Sequence, residues 1–248
     1  MARPTAFVTG ASYGVGAATA LALACDGFDV AVSATRPENV ADTVAKLEQV
    51  GARAVPVVLD LKSQASIEDA FAAVVAKLGR LDVLVNNAGA NLRRRAADVT
   101  PEEWDAVIAT NLTGTFFLSQ QFGRHVIAAG RPGSIVNIAS AHGLVGAAER
   151  STYGISKAAV THMTRMLAIE WADHGIRVNA IAPGRLDTPS PSRADTDPGY
   201  MQAMLARIPL HRLATVEQVA AAVCYLAGPH AATITGQTLV LDGGLTAA

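Results

Sequence analysis

Two cysteines, Cys25 and Cys224, are all that 248 residues provide. They are too few and too isolated for a disulfide framework or a metal site, so both are expected to be buried free thiols. Aromatic residues contribute only 5%. Neither sign of charge dominates, since 20 Lys and Arg against 21 Asp and Glu leave a formal net charge of −1. A nucleic-acid-binding chain would carry a strong basic excess, so no nucleic-acid partner is expected. Half of the residues, 50%, are hydrophobic. Even so, no uninterrupted apolar run approaches the ~18 residues of a membrane span, and no membrane partner is expected. Arg3 is followed within a few residues by Thr9-Gly10, which leaves no room for the apolar core of a signal peptide. No cluster of His, Cys and Asp has metal-ligand spacing, so no metal is expected. These absences point to a soluble cytoplasmic protein whose core needs no staple.

What is present is alternation. Short β-branched runs at 5–9, 29–33, 54–59, 83–86, 134–139, 177–182 and 238–241 read as strands. They are nearly continuous apolar runs, as parallel strands covered on both faces should be. Ala-rich helical stretches lie between them at about 15–27, 38–50, 64–78, 101–129, 152–174 and 215–227. Asp98 or Thr100 before Pro101 is the expected helix start there, with Glu102 and Glu103 favouring the dipole. The pattern predicts an α/β, doubly wound, Rossmann-like fold: a parallel seven-stranded sheet with helices on both faces. No repeat or linker interrupts it, so 1–248 is expected to be a single domain. The exception to the rhythm is the polar, proline-rich stretch 184–200, which follows a strand on the ligand side of such a sheet. A substrate lid at about 184–210 is the expectation.

The first strand ends in Thr9-Gly10-Ala11-Ser12-Tyr13-Gly14-Val15-Gly16, and a helix follows. Glycines 10, 14 and 16 let the backbone turn sharply, approach a pyrophosphate and pack helix on strand. The helix start then offers N–H groups and a positive dipole end to the anion. Gly10, Ser12, Tyr13, Gly14, Val15 and Gly16 are therefore candidate cofactor residues.

From here the chain resembles the short-chain dehydrogenase/reductase family over essentially its whole length. The resemblance rests on the glycine turn, on Asn86-Asn87-Ala88-Gly89 after the fourth strand, and on Tyr153-x-x-x-Lys157 with Ser140 thirteen residues earlier. Asn111 and the segment Pro183-Gly184 with Thr188 complete it. The resemblance implies a nicotinamide-dependent oxidoreductase that interconverts a secondary alcohol and a ketone, with Asn111, Ser140, Tyr153 and Lys157 catalytic. Lys157 would also hold the nicotinamide ribose, and Asn111 would perturb its helix and hold a water beside the lysine. Asp60 and Leu61 would meet the adenine. Asn87, Ala88 and Gly89 would line its ribose and the approach to the nicotinamide. Pro183, Gly184, Leu186 and Thr188 would contact the nicotinamide itself. A homotetramer built through 101–129, 152–174 and 236–248 is also implied.

The residues carry a physical reading of their own. Tyr153 and Lys157 stand at i and i+4 and share one helix face. A phenol titrates near 10, and a neighbouring ammonium is expected to lower it; reaching neutrality would take about 4 kcal/mol. The Ser140 hydroxyl can donate to a carbonyl or alkoxide oxygen as charge develops. His142, two residues beyond Ser140, and Arg150, three before Tyr153, are candidate substrate contacts. His162 is expected on a helix surface, and His211, where the family has glycine, as a local structural variation.

Substrate and cofactor follow from fewer residues. Arg93, Arg94 and Arg95 after the fourth strand resemble the sugar-acid members of the family, so a sugar acid or polyol is the expected small-molecule substrate. An activity like 3-oxoacyl-[acyl-carrier-protein] reductase is the alternative. A silent dinucleotide-sensing protein is the rival from another class. NAD-specific members place an acid at the end of the second strand, where this chain has Ala34 followed by Thr35 and Arg36. Thr35 and Arg36 can serve a 2′-phosphate, so NADP(H) is expected over NAD(H).

Overall fold

The strands form where the apolar runs are densest. β1 (Thr5–Val8), β2 (Asp29–Ala34), β3 (Ala54–Val58), β4 (Val83–Asn86), β5 (Gly133–Ile138), β6 (Ile176–Pro183) and β7 (Thr238–Leu241) pair in parallel. Their order in the sheet is 3-2-1-4-5-6-7. The computed structural model describes residues 3–187 and 198–248. The helices are α1 (Gly14–Cys25), α2 (Ala41–Gln49), α3 (Gln64–Leu78), α4 (Pro101–Ile108), α5 (Thr115–Ala128), α6 (Ser151–Glu170), α7 (Pro198–Ala206) and α8 (Val216–Ala227).

Strand alternation splits the core into two layers. Ala6 and Val8 of β1 face Ala20 and Leu23 of α1, Leu47 of α2, and Val219 and Val223 of α8. Phe7 faces the other way, into Ile67 and Phe71 of α3, Leu118 and Phe122 of α5, and Val160 and Leu167 of α6. Burying a side chain of this size stabilises the fold by roughly 1.5–3 kcal/mol, which is why short strands suffice. The helices start on recognisable caps. Thr100 forms a reciprocal capping box with Glu103, so Thr100 rather than Asp98 begins α4. Thr215 does the same with Gln218 for α8, and Ser63 caps α3.

Three details depart from the expected elements. The stretch 101–129 is interrupted by a π-helical turn at Ala109–Gly114, which carries Asn111. A two-residue parallel pair, Leu186–Asp187 with Ala214–Thr215, forms a second small sheet. Within the polar stretch, α7 begins at Pro198; the part of the lid expectation on 188–197, Thr188 included, lies outside the described residues. Among the described residues, no helix is long and apolar enough to cross a membrane. Because the sheet is parallel, the turns after β1, β4, β5 and β6 all emerge at one edge.

Candidate active site

The glycine turn after β1 is shaped by contacts that leave no room for side chains. Gly10 has φ +64°, and a Cβ there would lie 2.8 Å from Ala88 Cα. At Gly16 a Cβ would lie 2.3 Å from the Gly10 carbonyl oxygen, so α1 sits directly against the turn. Gly14 has open space around it but φ +59°, a left-handed backbone that favours glycine. Tyr13 precedes α1 in extended conformation, and no side chain or first-turn acid caps the helix. Its leading N–H groups and positive dipole end remain directed at the turn, as a pyrophosphate requires. Ser12 and Val15 flank them. Asn87 locks β4 to this turn, donating from Nδ2 to the carbonyls of Thr9 and Gly10, both at 2.9 Å. Thr9 Oγ1 in turn accepts from the Asn87 and Ala88 N–H groups at 3.0 Å. Both amide protons of Asn87 are thus committed to the turn.

The catalytic candidates converge at the end of β5. Asn111, in the π-helical turn, accepts from Ala90 N at 2.6 Å and donates to Ala90 O and Ser156 Oγ, each at 2.9 Å. Ser156 Oγ passes this on to the Tyr153 carbonyl at 2.7 Å. Lys157 Nζ donates to the Ile138 carbonyl at 2.7 Å and lies 5.9 Å from the centre of the Tyr153 ring. Gly89 belongs to the same cluster: a Cβ there would lie 3.1 Å from Asn111 Oδ1 and 3.4 Å from Lys157 Nζ. The turn carrying Ser140 and His142 is pressed onto α6 by two glycines. Gly143 would meet Lys157 backbone at 2.8 Å, and Gly154 would meet the His142 carbonyl at 2.7 Å. Ser156 was not legible as a site residue, and Thr9 was read only as the start of the glycine turn. The only signal of Ser156 is a small hydroxyl at a buried position beside a recognised motif.

The electrostatics differ from expectation at the tyrosine. Burial pushes the Tyr153 phenol above its ordinary value, although the Ser140 hydroxyl and the charge of Arg150 both pull it down. The expected net lowering is not seen: burial outweighs the groups that lower the phenol, and the Lys157 ammonium donates to the Ile138 carbonyl. Burial also pulls Lys157 down to about 8. Burial, then Arg150 and Arg207, hold His142 below the usual imidazole range.

A protein-family model described as enoyl-(acyl carrier protein) reductase matches residues 10–246. The chain is 38% identical to a 3-oxoacyl-[acyl-carrier-protein] reductase of Thermotoga maritima, over 96% of this chain and 96% of that one. The structure of a candidate short-chain alcohol dehydrogenase from Sinorhizobium meliloti 1021 superposes with a TM-score of 0.96 at 40% identity, covering 100% of this chain and 98% of that one. A candidate 2-deoxy-D-gluconate 3-dehydrogenase from Agrobacterium tumefaciens, with bound NADP, gives 0.91 at 35% identity, covering 99% and 97%. This chain belongs to the short-chain dehydrogenase/reductase family. It is an oxidoreductase that acts on CH–OH groups with a nicotinamide cofactor.

The remaining candidates of this dehydrogenase/reductase sit around the same edge. Asp60 Oδ1 accepts from Lys62 N at 3.0 Å, closing the turn after β3. Leu61 is buried, and Gly114 at the end of the π-helical turn packs directly on its carbonyl. Pro183 ends β6, and Gly184 touches Asp242 so closely that a Cβ would lie 2.9 Å from its Cα. Leu186 packs on the α1/α8 layer. Thr35 and Arg36 are exposed after β2. Of the arginine run, Arg93 pairs with Glu149 and Arg94 with Glu103. Cys25 is exposed, not buried, because it ends α1 at a groove shared with α8. Cys224 lines the same groove, and its burial together with Asp26 pushes its thiol up to about 12. His162 is exposed as expected, and His211 has φ 49°, which explains why glycine suits that position.

Proposed function

We propose that this enzyme interconverts a secondary alcohol and a ketone on a sugar acid or polyol, with Tyr153 as acid–base and NADP(H) preferred over NAD(H). The observation that carries the reading is the cluster in which Asn111 reaches the Tyr153 backbone through Ser156, Lys157 is held on the Ile138 carbonyl 5.9 Å from the centre of the Tyr153 ring, and Ser140 influences the phenol. The residues fit a dinucleotide, since the glycine turn leaves an uncapped helix start and Gly89 lets the backbone after β4 pass close to Lys157 Nζ. A bound nicotinamide supplies the hydride acceptor for oxidation and the hydride donor for reduction.

In reduction, the Tyr153 phenol gives its proton to the substrate oxygen; in oxidation, its phenolate takes the hydroxyl proton. Ser140 donates to that oxygen in both directions, where charge develops. Lys157 holds a buried positive charge one helical turn away, fastened to the Ile138 carbonyl. Its ammonium uses one donor on Ile138, and the others make no hydrogen bond among the described residues, which suits them to ribose hydroxyls. Asn111 braces α6 through Ser156 and could bind a water at the Lys157 side. The raised Tyr153 value keeps the phenol protonated at neutral pH in the chain alone, ready to act as acid.

A second reading, reduction of 3-oxoacyl thioesters, is supported by the Thermotoga maritima relative. A stereodefined panel of polyols, sugar acids and 3-oxoacyl thioesters, assayed with both cofactors, tests the two. Highest kcat/KM on a sugar acid or polyol with NADP is the expected result, whereas highest kcat/KM on a thioester establishes the second reading. We also propose that 1–248 acts as one domain with the lid at about 184–210, and that four copies assemble in the cytoplasm.

A further inference from the structure

The arginines near the site differ in one respect. Arg93 is paired with Glu149 at 2.6 Å, and Arg94 is paired with Glu103. Arg150 has no carboxylate partner among the described residues. Its guanidinium donates from Nη1 to Oδ1 of Asn91, a neutral amide on the loop after β4. That contact orients the cation without cancelling it.

Helix stability does not account for Arg150. It is the residue before α6, and its side chain makes no capping hydrogen bond there. A cation at a helix N-terminus also opposes the macrodipole. The site side is different: Arg150 immediately precedes α6, three residues before Tyr153, and its charge reaches the Tyr153 phenol. The His142 ring packs edge-on to Tyr153 with centres 6.5 Å apart, and its Nδ1 is buried without a hydrogen-bond partner among the described residues. The charge of Arg150 acts on both rings, and that of Arg207, just after α7, also acts on His142. Arg150 also acts on Glu149, but that carboxylate is bonded to Arg93, so the region beside the tyrosine keeps a cation and an unfilled polar group.

We propose that Arg150 holds a carboxylate of the substrate beside Tyr153, so that the enzyme selects hydroxy acids and keto acids over their uncharged counterparts. This rests on the oxidoreductase reading above and narrows it, favouring the sugar acid over the polyol and the thioester. A planar guanidinium suits a carboxylate because two parallel N–H donors match its two oxygens. His142 Nδ1 adds a neutral polar contact for a neighbouring hydroxyl.

The test is steady-state kinetics of the parent, Arg150→Gln and Arg150→Lys on matched pairs such as gluconate with gluconamide and 3-hydroxybutyrate with its amide. The parent is expected to favour the acid at least about tenfold in kcat/KM. Arg150→Gln is expected to lose about 10- to 100-fold more kcat/KM on the acid than on the amide, with the difference carried mainly by KM. Arg150→Lys should keep part of the preference, because it keeps the charge and loses the fork. Melting temperatures of all three proteins should agree, since no cap is removed. A parent that treats acid and amide alike overturns the proposal, and so does a variant that lowers both equally or neither. Turnover of uncharged alcohols with no turnover of any acid overturns the subsite but leaves the oxidoreductase reading standing. No nicotinamide-dependent turnover of either partner overturns both.

Discussion

The ammonium of Lys157 donates to the carbonyl oxygen of Ile138 at 2.7 Å, fastening the middle of α6 to the last residue of β5. The pairing is costly because the ammonium is buried and one carbonyl does not replace its hydration. Burial lowers Lys157 from 10.5 to about 8, so the folded state binds this proton less tightly than the unfolded state.

The sign of the stability effect follows. Below pH 8 both states hold the proton, and the folded state carries the full penalty. From about 8 to 10.5 the unfolded state binds more protons, so this group's contribution to stability rises with pH. The shift corresponds to at most about 3 kcal/mol, offset by a hydrogen bond worth about 1 kcal/mol. Lys157→Met is therefore expected to melt higher than the parent at pH 7 by the equivalent of about 2 kcal/mol, with no turnover. The gap should close as the pH approaches 10. Thermal melts across that range check it, and a variant less stable than the parent at pH 7 refutes it.

Tyr153→Phe removes the proton donor and leaves Lys157, Ser156 and Asn111 in place, because Ser156 meets Tyr153 at its backbone carbonyl and not at its phenol. Turnover should fall at least ~10³-fold while cofactor binding, read by fluorescence titration, stays within a few-fold. Activity within tenfold of the parent would remove Tyr153 from the acid–base role.

How much of this was legible beforehand depends on the range of the interaction. The parallel sheet was readable because runs such as Val83–Asn86 are apolar on both faces, and alternate with helices whose caps, Thr100 and Thr215, lie in local sequence. The glycines were readable because Gly10 and Gly14 need positive φ. The direction of the Tyr153 shift was not. The i,i+4 spacing puts Lys157 near the phenol, but where its ammonium points depends on a β5 carbonyl 19 residues away. Cys25 was misread for a similar reason: its exposure depends on how α1 and α8 meet. Arg150 and Arg93 look alike in sequence, and only the fold shows that Glu149 serves Arg93.

Assembly is a further prediction. The surfaces expected to join subunits carry exposed apolar side chains: Phe116 on α5, Ile155, Met166 and Ile169 on α6, and Leu239 on β7. Ile169 is 76% exposed, an unusual position for a β-branched aliphatic side chain on a monomer. Two such faces on one chain generate two dimer contacts and hence a D₂ homotetramer. Light scattering at micromolar concentration should report four times 25.6 kDa. A monomer under those conditions would exclude it, and Ile169→Glu should weaken the assembly without lowering the melting temperature of the dissociated subunit.

Cofactor choice turns on the end of β2. Ala34 closes that strand with its carbonyl accepting from Leu59 N at 2.9 Å, and its methyl group cannot bind ribose hydroxyls or repel a phosphate. Thr35 and Arg36 follow it into solvent, and Arg36 makes no ion pair among the described residues. A guanidinium without a partner at this edge of the sheet suits a 2′-phosphate, which offers it a charge-assisted pair. Arg36→Ala should then lower kcat/KM with NADP about tenfold, a typical loss for one exposed charge-assisted contact, and leave NAD nearly unchanged. Ala34→Asp adds a ribose acceptor and a charge that repels the phosphate, so it should move the NADP-to-NAD ratio of kcat/KM toward NAD by more than Arg36→Ala does. Measuring both cofactors on one substrate for all three proteins separates attraction by Arg36 from repulsion by the new acid. A parent with higher kcat/KM for NAD would show that Arg36 is a solvated loop charge, and that the missing acid at Ala34 does not set the preference.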